Sequence, residues 1–68
     1  MASPTFELEE AWRMAIQKER ESRELYLRLG AMTGNSAARS LFEFLANEEA
    51  RHEQMLQDEF DRAFTPDN

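Results

Sequence analysis

Apolar residues recur at alternating spacings of four and three along two stretches of the sequence, and this pattern limits the fold more than any other feature. In the first stretch the stripe consists of Leu8, Trp12, Ala15, Glu19, Ser22, Tyr26 and Leu29. In the second stretch it consists of Phe42, Leu45, Glu49, His52, Leu56, Phe60 and Ala63. Residues at this spacing share one face of an α-helix. The sequence therefore predicts an all-α chain with two amphipathic helices.

A short connection separates the two predicted helices. We place the first helix at about 6–29, the turn at about 30–35 and the second helix at about 36–63, in one domain that covers 1–68. Connections of about two to eight residues join antiparallel neighbours in helical bundles. The predicted fold is therefore an antiparallel two-helix hairpin.

Single residues mark the helix ends at this turn. Glycine is common just after the C-terminus of a helix, so Gly30 is predicted to end the first helix. Asn35 precedes the second stripe, and asparagine side chains cap helix N-termini well. We expect Asn35 to cap the second helix.

Each predicted helix also carries a second apolar edge beside its stripe. The edge residues are Ala11, Ile16, Leu25 and Met32 on the first helix, and Leu41, Phe44 and Met55 on the second. Two helices that pack only on each other leave an edge uncovered, and a chain of 68 residues buries only about 60% of its unfolded surface. There is no cysteine, so no disulfide compensates. We expect a homodimer or larger homo-oligomer in which two hairpins form a four-helix bundle.

The charge of the chain argues against several classes of partner. The formal charge is −6, and the 8 basic residues are scattered singly among 14 acidic ones. Nucleic-acid-binding proteins cluster their basic residues, so we expect no nucleic-acid partner. No apolar run approaches the roughly 20 residues that cross a bilayer, and the first residues lack the pattern of a signal peptide. We expect no membrane partner, and a location in the cytoplasm or in a protein compartment within it.

Three residues inside the apolar stripes are polar and can ligate a metal. Glu19 lies on the first stripe, and Glu49 and His52 occupy successive positions of the second. Counted from Thr33 near the centre of the turn, these three positions fall within roughly two helical turns of one another in an antiparallel hairpin. A buried carboxylate must be neutralised, paired or bound to a cation. The three side chains are therefore predicted to form one metal site.

A two-fold pair of hairpins would bring together four carboxylates and two imidazoles. Di-iron and di-manganese carboxylate bundles use a Glu from each of two helices and a Glu-x-x-His from each of the other two. Carboxylate and imidazole ligands suit Fe or Mn, with Zn as a possible substitute. Because acidic residues are common in this chain, the spacing of Glu49 and His52 alone is a weak signal. An ordinary helix histidine is the alternative for His52.

Other residues near this site have two possible roles. Tyr26 lies seven residues after Glu19 and either hydrogen-bonds a ligand carboxylate or packs in the core. We interpret Trp12 as a packing anchor. Glu48 and Glu53 are predicted to lie on solvated helix faces, with Glu53 a weak candidate for an additional ligand.

Two segments of the sequence resemble the rubrerythrin branch of the ferritin-like superfamily. They are 15–26, with the pattern Ala-Ile-x-x-Glu, and 41–56, with Leu-Phe followed by Glu-x-x-His. The likeness extends from about Leu8 to Phe60. The resemblance implies a ferritin-like four-helix bundle with a di-iron site.

Matched residue by residue, the resemblance assigns Glu19, Glu49 and His52 as the metal ligands and catalytic residues, with Tyr26 beside them. The chain has two helices where a full rubrerythrin has four, so a second copy must supply the other half of the site. In this respect it is similar to the encapsulated ferritins, two-helix proteins that build a ferroxidase site across a dimer interface inside a protein shell. The sequence contains no cysteine, so we expect no rubredoxin domain of the kind found in rubrerythrins.

The resemblance and the residues together predict a ferroxidase that oxidises Fe(II) with O₂ or peroxide, for iron handling or detoxification. One alternative is a peroxide reductase that uses the same di-iron site with an external electron donor. Another is a non-catalytic dimerising module in which the polar residues only specify the helix register.

Overall fold

Residues 4–64 are described in the computed structural model, with side chains from residue 7 onward. They form two α-helices, α1 at Pro4–Met32 and α2 at Ser36–Phe64. The helices pack antiparallel, because Trp12 contacts Phe64 and Tyr26 contacts Phe42. The predicted all-α fold and the two-helix hairpin are confirmed for this part of the chain.

The turn between the helices is held by side-chain hydrogen bonds. The Asn35 Oδ1 atom accepts a hydrogen bond from the Ala38 backbone N–H at 2.9 Å, so the predicted N-cap of α2 is present. The Thr33 hydroxyl accepts one from the Asn35 N–H at 3.2 Å, and the Thr33 carbonyl accepts one from Arg39 at 3.1 Å. These contacts fix where α2 begins relative to α1.

Gly30 does not end α1, contrary to the prediction. The helix continues to Met32, and no glycine in the described part of the chain has a positive φ. Gly30 lies close to α2, because a Cβ atom added to it would be 3.4 Å from the Phe42 Cβ. The glycine therefore allows the helices to approach closely, and the turn shortens to residues 33–35.

The core of the hairpin is thin. Its buried hydrophobic side chains are Ile16, Ala46 and Phe60, with 7%, 2% and 9% of their surface exposed. Tyr26 stacks on Phe42 with ring centroids 6.4 Å apart. The Cα atoms span 49 × 28 × 12 Å, so the hairpin is one helix layer thick.

Two details of the predicted stripes are wrong. Ile16, predicted on the second apolar edge, is buried between the helices, whereas four residues of the stripes are exposed, namely Leu8, Ala15, His52 and Ala63. A straight helix has 3.6 residues per turn, so a strict seven-residue stripe rotates by about 20° per repeat relative to the partner helix. At this end of the hairpin that rotation turns Ile16 toward α2 and Ala15 away from it.

Large apolar side chains remain exposed on both helices. They are Leu8, Met14, Leu25, Leu27, Met32, Leu41, Phe44 and Met55. Five of these eight belong to the predicted second edges, and a single layer of two helices does not cover them. Within residues 4–64, neither helix combines the length and apolar character that a membrane crossing requires.

Candidate metal centre

The structure brings the three predicted ligand residues together near the middle of the hairpin. One ligand atom each from Glu19, Glu49 and His52 lies within 4.8 Å of the other two. His52 Nδ1 is 2.8 Å from Glu49 Oε1 and 3.3 Å from Glu19 Oε2. Among the described residues this is the one group of His, Cys, Asp or Glu side chains close enough to hold a common ion.

The lengths of the helices explain this meeting. Glu19 lies 13 residues before the last residue of α1, Met32, and Glu49 lies 13 residues after the first residue of α2, Ser36. At about 1.5 Å per residue, both carboxylates therefore sit at the same height above the turn. His52 follows Glu49 by three residues and projects from the same face of α2.

One atom of this group lacks a hydrogen-bond partner. Glu19 Oε2 is buried and accepts no hydrogen bond, although 25% of the Glu19 side chain as a whole is exposed. The nearby His52 ring nitrogen is hydrogen-bonded to Glu49 instead. A buried oxygen without a partner costs free energy, and a bound cation removes that cost. Together with the oxygen and imidazole donors, this atom fits an iron-type metal ion.

The ionisation of the group is shifted toward the protonated state. Burial, followed by the close approach of the Glu49 carboxylate, raises the pKa of Glu19 above its usual range. The hydrogen bond that the protonated His52 ring donates to the Glu49 carboxylate is the main cause that raises the pKa of His52. A metal ion that binds Glu19 and His52 would therefore compete with protons for these side chains.

An open groove borders two of the three residues, Glu19 and His52, on one side. It measures about 410 Å³ and is lined by Glu19, His52, Met55, Leu56 and Glu59. Exposed apolar surface, including Met55 with 63% of its surface exposed, adjoins the ligand atoms there. The candidate ligands thus lie beside an open groove with exposed apolar surface.

Tyr26 does not contact the ligands within the hairpin. Its ring stacks on Phe42 with an angle of 20° between the planes, and no hydrogen bond joins it to the ligand residues in the described part of the chain. Of the two roles open to Tyr26, the hairpin shows core packing. Trp12 is an anchor, as predicted, because its indole N–H donates to the Leu56 carbonyl at 2.9 Å.

Glu53 is not solvated, contrary to the prediction. Only 15% of its side chain is exposed, and it forms ion pairs across the helices with Arg20 at 3.0 Å and Arg23 at 2.6 Å. Both of its oxygens are used, so Glu53 is not an additional ligand. These pairs are not evident from the stripe pattern, because all three residues flank the stripes, at heights close to Glu19 and His52.

Comparison with known families supports the resemblance seen in the sequence. The family model described as Rubrerythrin matches residues 2–60. No significant match is found among curated proteins or among solved structures. The match covers most of the chain, including all three residues of the candidate metal centre. The chain therefore belongs to the rubrerythrin family.

Proposed function

We propose that this protein is a ferroxidase whose di-iron site forms between two copies of the hairpin. The observation that supports this most directly is the cluster of Glu19, Glu49 and His52 around a buried oxygen that lacks a hydrogen bond. Rubrerythrin-family proteins typically bind iron and are generally related to oxidoreductases. The donor set of this chain agrees with that family property.

The proposed active form is a homodimer arranged as a four-helix bundle. One hairpin contributes two carboxylates and one imidazole, so a two-fold pair contributes the four carboxylates and two imidazoles of a di-iron bundle. The apolar side chains Leu41, Phe44 and Met55 lie on α2, the helix that carries Glu49 and His52. They remain exposed in the single hairpin. Pairing of two hairpins through the open groove would bury this surface and complete the ligand set. Assembly into larger rings or within a protein shell stays a prediction.

The residues of the chain have separable roles in the proposed reaction. Glu19 and Glu49 neutralise the charge of the Fe(II) substrate, and His52 binds it through Nδ1 after losing its proton. Each of two Fe(II) ions gives up one electron, and O₂ accepts two electrons and two protons to form H₂O₂. In the proposed dimer, the apolar surface around the groove would limit the access of water to the site. Carboxylates favour the product, because the charge of Fe(III) is higher.

Anaerobic loading with Fe(II), followed by addition of O₂, tests this function. We expect wild type to consume O₂ and form Fe(III), and Glu49→Ala to lose this activity while it keeps its helices. Glu48→Ala is the matched control, because Glu48 is adjacent in sequence but pairs with Arg51 at 3.1 Å. Equal oxidation rates in wild type and Glu49→Ala would refute the proposal.

The same samples separate the two alternatives. A peroxide reductase would consume H₂O₂ faster than O₂ when an electron donor is added. A non-catalytic module would dimerise without binding Fe(II) at all, and metal analysis after anaerobic loading detects that outcome.

A further inference from the structure

Arg23 does not make the ion pair that its position in α1 favours. It lies four residues after Glu19, and a Glu followed by an Arg at this spacing is a favourable pair on a helix. Glu19 is also the one acidic residue three or four positions from Arg23. The Arg23 guanidinium instead donates to Glu53 Oε1 of α2 at 2.6 Å, while Glu19 Oε2 accepts no hydrogen bond.

Arg20 is held in the same way by the other oxygen of Glu53. Its Nε atom donates to Glu53 Oε2 at 3.0 Å, and its Nη2 atom lies 3.0 Å from that oxygen. Charge-assisted hydrogen bonds of this kind are about twice as strong as neutral ones. With 15% of the Glu53 side chain exposed, the pairs are partly shielded from solvent. One carboxylate thus holds two guanidinium groups that neighbour the metal centre.

We infer that Glu53 is a positioning residue that keeps Arg23 and Arg20 away from the ligand carboxylates and so leaves Glu19 free to bind metal. This inference rests on the proposed function. A guanidinium group forms strong hydrogen bonds with a buried carboxylate oxygen. An Arg23 side chain released from Glu53 would therefore pair with Glu19. It would then compete with the metal ion for the same oxygen. Glu53 prevents this competition because it binds Arg23 from the opposite helix.

The primary test is Co(II) binding by the purified protein. Titration calorimetry and the Co(II) absorption spectrum measure this binding. We expect Glu53→Gln to raise the Kd for Co(II) about 10- to 100-fold, the range observed when residues that support metal ligands are changed. Circular dichroism of the same samples reports whether the helices remain.

Second changes identify the cause of the loss. Glu53→Gln combined with Arg23→Gln should recover most of the affinity, because the competing guanidinium is gone. Glu53→Gln combined with Arg51→Gln has the same net charge as that double variant. It should still bind Co(II) weakly, since Arg51 pairs with Glu48 on the exposed side. Glu48→Gln alone, which removes one negative charge beside Glu49, should change the Kd little.

Arg23→Gln alone tests the inference without any change at Glu53. It leaves the Arg20 pair in place and removes the competitor, so it should bind Co(II) at least as tightly as wild type. Weaker binding by a folded Arg23→Gln variant would show that the Arg23 pair supports the site mechanically, and would overturn the inference.

The remaining outcomes separate this inference from the proposed function. If wild type binds no Co(II), the proposed metal site fails. If wild type and Glu53→Gln bind Co(II) equally well, the inference fails and the proposed function stands. The inference is also overturned if a folded Glu53→Gln, Arg23→Gln protein binds as weakly as Glu53→Gln alone.

Discussion

At the scale of single residues, the candidate metal centre is a compromise between stability and binding. Glu19 and Glu49 face each other across the helices, and His52 can bond fully to only one of them. The pKa values of Glu19 and His52 are both raised, so these two residues hold protons more readily than ordinary Glu and His side chains do. The arrangement is therefore better suited to a bound cation than to the metal-free state.

The metal-free protein should become less stable as pH rises. A raised pKa means that the folded state binds more protons than the unfolded chain, so the free energy of unfolding falls with increasing pH. The contribution of Glu19 is complete below its ordinary pKa of 4.5 and is lost as pH passes through its raised value. The contribution of His52 is complete below its ordinary pKa of 6.5 and is lost as pH passes through its raised value.

Urea unfolding with a chelator present, compared at about pH 5.5 and about pH 8, measures this loss. A double variant, Glu19→Gln with His52→Gln, should lose less stability over the same range. Metal affinity should change in the opposite direction, since the ligands must release protons to bind. A wild-type chain that is more stable at the higher pH than at the lower would contradict the prediction.

The residues of the candidate centre could be found from the sequence because they interrupt an apolar stripe. Glu19, Glu49 and His52 occupy positions where an apolar side chain is expected, and their heights can be counted from the turn. The role of Glu53 could not be found in this way. Its partners lie on the edges of the helix interface, and choosing between Glu19 and Glu53 for Arg23 requires the distance between the helices.

At the scale of the helices, the turn determines how α1 and α2 meet. The heptad pattern and the Asn35 cap were sufficient to predict the hairpin and the start of α2. The predicted end of α1 is wrong because glycine occurs in two roles. It ends helices, and it also allows two helices to approach each other closely. Gly30 has the second use, and only its contact with Phe42 reveals it.

Gly30→Ala should stabilise the hairpin by up to about 1 kcal/mol. Alanine has a higher helix propensity than glycine, and the backbone at Gly30 is helical with no positive φ. The added Cβ atom would lie 3.4 Å from the Phe42 Cβ, which is close but tolerable. Thermal unfolding measures the change.

Gly30→Leu is the contrasting variant for the same position. Its larger side chain cannot fit beside Phe42, so it should be less stable than wild type despite the good helix propensity of leucine. A lower melting temperature for Gly30→Ala as well would mean that the helices cannot shift even slightly at this point.

At the scale of the whole molecule, the hairpin is incomplete as a folded unit. It is one layer thick, and its buried hydrophobic residues are few compared with its exposed ones. Independent domains usually bury their apolar faces between two layers. In the proposed dimer the second layer is another copy of the hairpin, which would cover the open groove beside His52.

Met55→Lys should dissociate the proposed dimer without unfolding the hairpin. Met55 has 63% of its surface exposed and lines the groove beside the ligands. Burying a charge in the dimer interface is costly, whereas an exposed lysine on a helix costs little. Analytical ultracentrifugation should show a shift to monomer, with the helix content unchanged.

Met14→Lys is the control for this change. Met14 is also exposed, at 67%, but lies five residues before Glu19, about 140° around the helix. The Met14→Lys protein should remain dimeric. If Met55→Lys remains dimeric as well, the groove is not the interface.

Divalent metal should tighten the dimer of the wild-type protein. In the proposed site each ion binds only the assembled form, and a ligand of this kind stabilises that form by mass action. Sedimentation at several protein concentrations, with a chelator or with Mn(II), measures the dimer dissociation constant. Glu49→Ala should abolish the effect of Mn(II), and it should associate at least as well as metal-free wild type because fewer carboxylates repel one another.

The equal lengths of chain between the turn and the two carboxylates limit how this sequence can vary among relatives. One residue inserted between Glu19 and Met32, or between Ser36 and Glu49, would move one carboxylate by about 1.5 Å and rotate it by about 100° relative to the other. Such a change would separate the ligands although every ligand residue is still present. Relatives that bind metal in the same way should therefore keep these two spacings fixed, and should accept changes of length at residues 33–35.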